Sequence, residues 1–113
     1  MKGYDPADAK QNILSKLEKK PFQAIEAALP RLIEDFIQYD LHFMRITGVL
    51  DANDEQGENT YDEDEAFEYL YDAYLYDHPD DEDESMRIAS LLNRYMELQY
   101  EYLATRGLTE SEL

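Results

Sequence analysis

The chain has 113 residues, no cysteine, and 27 Asp plus Glu against 10 Lys plus Arg, for a formal net charge of −17. One domain fits that length, with enough core to fold without disulfides or a structural metal, and the charge favours solubility over self-association. It speaks against direct binding to nucleic acid or to an anionic membrane, because phosphate recognition needs clustered Lys and Arg.

Leu, Ile, Val and Phe make up 25 residues, with ten Tyr and four Met besides. That places the chain on the folded side of the disorder boundary. With one Val and four Thr, β-propensity is poor throughout, and helix is the default reading.

The first predicted helix opens at Asp5-Pro6, where the carboxylate caps and proline fills a position that needs no N–H. Ile13, Leu14 and Leu17 give it a short apolar stripe. Pro21 disfavours helical geometry at Lys20 and ends it, and the basic cluster Lys16, Lys19 and Lys20 suits the negative end of the helix dipole.

A second segment runs from about Pro21 to Thr47, with Phe22, Ile25, Leu29, Leu32, Ile33, Phe36, Ile37, Leu41, Phe43 and Met44 at helical spacing. Pro30 removes a backbone bond and crowds the preceding turn, so a kink or short break is expected near Ala28 and Leu29. Gly48 is a natural terminator.

Residues 50 to 61 are polar and acidic and read as a loop. The third helix is predicted to begin at Thr60, with Glu63 completing a capping box and further acids against the positive helix end. Asp77-His78-Pro79 ends it. At about 100° per residue, Phe67, Leu70, Tyr71 and Tyr74 gather on one side, and Asp62, Glu65, Tyr69, Asp72 and Tyr76 on the other.

A second acidic turn, residues 78 to 82, leads into a fourth helix from about Glu82 to Arg106, closed by Gly107. Its apolar arc, Ile88, Leu91, Leu92, Tyr95, Leu98, Tyr102 and Leu103, is wide enough for a central helix. Residues 109 to 113 read as a frayed tail. The expectation is a single all-α bundle of about four helices with up-down connectivity, the second helix kinked near Pro30. No apolar run approaches about 18 residues, and Met1-Lys2-Gly3-Tyr4-Asp5 does not begin a secretory signal, so a cytoplasmic protein is expected.

Material for catalysis is thin. Ser15, Ser85 and Ser90 lack a Gly-x-Ser-x-Gly context, and His42 and His78 stand 36 residues apart. His42 reads as a boundary or core residue, and His78 belongs at a helix C-terminus. Glu-x-x-His, which a di-iron bundle needs, is absent. Glu65-Ala66-Phe67-Glu68 supplies one half of the Glu-x-x-Glu plus Glu-x-x-Asp magnesium pattern of all-α pyrophosphohydrolases of the MazG type, but the fourth helix lacks the other half. Asp51, Asn53 and Glu55 alternate as in a calcium loop, yet Gly57 falls seventh where glycine is needed sixth, and the twelfth position holds Asp62 in place of Glu. No cofactor and no specific metal site is therefore expected.

The charge layout is the informative feature, since Asp51 to Glu84 holds 16 acids and no Lys or Arg. The leading expectation is a noncatalytic module that docks a basic protein through this third of the chain, with Asp62, Glu65, Tyr69, Asp72 and Tyr76 as the contact face. Immunity proteins that block cationic nuclease toxins and phage antirestriction proteins work through the same physics, although no motif of either is present. The alternatives are a metal-binding regulator or magnesium-dependent phosphohydrolase using Glu65, Glu68, Asp72 and loop acids, and a homo-oligomer joined through the fourth helix.

Overall fold

The computed structural model describes residues 4–78 and 85–106. Asp5 and Pro6 start the first helix as their chemistry dictates. The Asp5 carboxylate accepts from the N–H groups of Ala7 and Asp8, and α1 runs Pro6–Lys16. It ends a turn earlier than Pro21 requires, because Leu17 turns extended and buries its side chain.

The expected break before Pro30 is present, with more irregular geometry ahead of it than a kinked α-helix would have. Lys20–Ala28 form a 3₁₀ segment in which Phe22 and Ile25 leave helical geometry. Phe22 is buried, so the segment is shaped by anchoring that ring as well as by proline. Helix α2, Leu29–Ile46, then carries Pro30 in its first turn, where the missing N–H is harmless. Its inner arc is Leu29, Leu32, Ile33, Phe36, Ile37, Leu41 and Met44, with Asp40 in the middle of it, and Phe43 is buried against Tyr61 and Tyr69.

Gly48 ends this helix at φ 82, a left-handed conformation that glycine adopts without penalty. The acidic loop that follows is built rather than slack. An antiparallel bridge joins Leu50 and Gln56, Val49 and Leu50 are buried, and Asp51 Oδ1 accepts from the N–H groups of Asn53 and Glu55. Arg45 forks onto Asp54 with both bonds at 2.7 Å, and the Tyr4 N–H donates to the Asp54 carbonyl, tying the N-terminal segment to the loop.

Helix α3 spans Glu63–Asp77 and α4 spans Ser85–Thr105. Asp62, not Thr60, caps α3, accepting from the Asp64 and Glu65 N–H groups. The chain cannot turn helical sooner, because Asn59 is bonded to Gly48 and the Tyr61 side chain is held in the core. The second acidic turn beyond His78, the Gly107 terminus and the tail at 109–113 lie outside the described residues.

The four helices form an up-down bundle in which α1 packs on α2 and α4, and α3 packs on α2 and α4. Lys10 meets Glu34, Tyr39 meets Asp77, Glu18 meets Arg94 and Asp8 meets Tyr102, as antiparallel neighbours require. The wide arc of α4 is consumed inside this one chain, with Leu91, Leu92, Tyr95, Leu98 and Leu103 all buried. No described helix is long and apolar enough to cross a membrane.

Arg94 ties α4 to the segment just after α1 by binding Glu18 through two nitrogens at 2.9 and 2.8 Å while reaching Glu97 at 2.8 Å. The cluster is open to solvent, so Arg94→Ala is expected to cost no more than about 1 kcal/mol by urea denaturation, and less in high salt. A loss that exceeds this and ignores salt would show that the guanidinium stem acts through packing instead.

Candidate functional site

Two sites emerge from the fold, one on the surface of α3 and one inside the bundle. On α3 the first turn places Glu63, Asp64 and Glu65 at the positive end of the helix, where carboxylates are favoured. Ala66, Leu70 and Tyr74 bury the inner face. The outer face carries Glu65, Asp72 and Tyr76, all exposed, with the cap Asp62 above them. Tyr76 is 86 % exposed. Among the described residues, Asp62, Glu65, Glu68 and Asp72 form no ion pair.

Tyr69 shares that face by spacing, but it leans onto α2. It is half-buried, its ring 5.4 Å from the Phe43 ring and 6.2 Å from His42. His42 itself is exposed, placing an imidazole beside Tyr69 at the edge of the face. At the far end the Tyr39 hydroxyl donates to Asp77 at 2.7 Å, and burial together with that carboxylate pushes the phenol well above its ordinary range. His78 closes α3 as expected, stacking on Tyr74 at 4.2 Å with Nδ1 3.0 Å from the Tyr74 carbonyl oxygen.

On the opposite flank, α3 and α4 enclose an open groove of about 590 Å³. Phe67 and Met96 lie against Glu63, Asp64, Glu68 and Glu97. Burial, then the like charges of Asp64, Glu97 and Asp62, raise the Glu63 carboxyl above its usual value. Among the described residues, no three Asp, Glu or His side chains converge as metal ligands. In the loop, one Asp51 oxygen is already engaged with backbone N–H groups.

The interior site centres on Asp40, which is 0 % exposed. Its Oδ2 accepts from the Tyr61 hydroxyl at 2.7 Å, the Tyr95 hydroxyl at 2.9 Å and Gln99 Nε2 at 2.9 Å. Gln99 in turn exchanges hydrogen bonds with the Tyr4 hydroxyl, at 2.9 and 3.2 Å. Asp40 Oδ1 is buried and meets no donor. Burial raises the carboxyl to about 6 against the pull of its three donors. The Tyr61, Tyr95 and Tyr4 hydroxyls are pushed up by burial first and by the Asp40 charge second.

Sequence reasoning missed this cluster, although a signal was present. At about 100° per residue Asp40 falls in the centre of the arc made by Ile33, Phe36, Ile37 and Met44, a position an unpartnered acid does not occupy.

By its architecture the molecule is a small all-α bundle with an acidic flank and a polar cluster in its core. Compared with known protein families, with curated proteins and with solved structures, the chain finds no match.

Proposed function

We propose that this protein is a noncatalytic docking module that binds a basic protein through the outer face of α3. The observation that carries the reading is Tyr76, 86 % exposed on a helix face whose Asp72 and Glu65 have no ion-pair partner among the described residues. A bare tyrosine offers large contact area at small entropic cost, and unneutralised carboxylates speed the approach of a cationic partner and orient it. Asp62 and Tyr69 extend the face toward the loop and α2.

Calorimetric titration with an amphipathic Lys/Arg-rich peptide tests this. Tyr76→Ala is expected to weaken binding at least about tenfold, or about 1.4 kcal/mol, with the melting temperature unchanged. Asp72→Lys should weaken it further, while Glu26→Lys, on the remote 3₁₀ segment, should not. Equal losses from Asp72→Lys and Glu26→Lys would mean general attraction to a negative molecule, and the face would lose its role.

A further inference from the structure

Asp40 is an enclosed acid that forms no ion pair among the described residues. Three neutral donors converge on Oδ2, an arrangement that favours the charged form, while Oδ1 is enclosed with no donor, which opposes it. The two tendencies are set against each other within one carboxyl group. The cluster also joins parts of the chain that no helix joins. Tyr4 belongs to the N-terminal segment and Tyr61 to the end of the acidic loop, and these two segments are themselves tied by the bond from the Tyr4 N–H to the Asp54 carbonyl.

We propose that Asp40 is a proton-binding site whose occupancy sets how tightly the N-terminal segment and the loop at residues 47–62 close over this end of the bundle. With the proton bound, the site is neutral and the cover formed by Tyr4 and Tyr61 stays seated. With the proton lost, the enclosed charge is best relieved by water reaching Oδ1. The route of least resistance is to lift Tyr4 or Tyr61, since Tyr95 and Gln99 are fixed in α4.

Apart from the three donors, no charged group among the described residues pairs with Asp40 to hold the ionised form, and Lys10 is engaged with Glu34. Glu34 of α2 faces Tyr4, Glu63 at the start of α3 faces Tyr61, and Asp8 of α1 is bonded to Tyr102, which packs on Tyr4. Arg106 lies over the Tyr102 ring, removed from Asp40 by Tyr102, Tyr4 and Gln99 in turn.

The direction of the pH effect follows from burial. Burial lifts the Asp40 carboxyl from its ordinary value of 3.8 to about 6, so the support it gives to closure is full below the lower value and is lost as pH rises through the upper one. This inference stands apart from the docking reading, because it concerns the interior of the bundle and needs no partner.

Amide exchange followed by NMR tests it at Tyr4, whose N–H donates to Asp54, and at Gly57, whose N–H donates to Val49. After correction for intrinsic exchange, protection in the wild type is expected to fall about tenfold between about pH 5 and about pH 7.5, and to change less than about twofold in Asp40→Asn. An equal fall in both proteins would assign the effect to general charge repulsion and overturn the proposal, as would no fall in the wild type. If the variant does not fold, the carboxyl carbon resonance of Asp40 decides. Loss of amide protection at Tyr4 and Gly57 that follows this titration, with a midpoint above about 5.5, upholds the proposal, and protection that falls at another pH, or a lower midpoint, overturns it.

Discussion

Phe36→Ala is expected to lower the unfolding free energy by about 3–5 kcal/mol, a large part of what holds a domain of this size together. The ring is fully buried, 5.5 Å from the Tyr95 ring and 6.1 Å from the Tyr74 ring, so it links α2 to both α4 and α3. Collapse into the space left behind is hindered, because Tyr95 is bonded to Asp40 and Tyr74 is stacked on His78. Denaturant unfolding measures the loss directly. A loss below about 1.5 kcal/mol would mean that the two tyrosines relax into the cavity, and that their hydrogen bonds and stacking do not restrain them.

Gly57→Ala is expected to cost about 3 kcal/mol, at the upper end of the range for overpacking. An added Cβ would lie 2.2 Å from the Gly48 carbonyl oxygen, and that neighbour is backbone rather than a side chain able to swing aside. The same carbonyl accepts from the Asn59 N–H, and Gly57 itself donates to Val49, so any shift breaks the ladder that seats Val49 and Leu50 in the core. Thermal unfolding of the variant should show the loss together with weakened amide protection at Gly57 and Asn59. A melting temperature equal to that of the wild type would show that the loop moves at no cost.

Local rules carried the architecture because the helices announce themselves locally. Asp5-Pro6, Pro30 and Gly48 act where the sequence places them, and the apolar arcs of α2 and α4 are the faces that become buried. The departures come from contacts between residues far apart in the chain. Thr60 does not cap α3, because Tyr61 is drawn into the core to reach Asp40, and Asp62 becomes the first residue free to act. Tyr69 lies on the acidic side by angle, yet Phe43 from another helix claims one side of its ring. The periodicity of α3 on its own could not show which flank α2 would cover. The Asp40 cluster draws on residues 4, 40, 61, 95 and 99, so its partners were beyond any local window even though its position on the arc was not.

The pairing of α1 and the residues flanking it with α4 has a consequence for how the molecule is made. Tyr4 and Gln99 are separated by 95 positions, Asp8 and Tyr102 by 94, and Glu18 and Arg94 by 76. A ribosome adding about 5–20 residues per second needs about 5–20 s between the residue that opens such a pair and the one that closes it. Through that interval the apolar stripe of α1, Ile13 and Leu17, has only part of its final cover. Closure of the bundle therefore waits for α4 to be made.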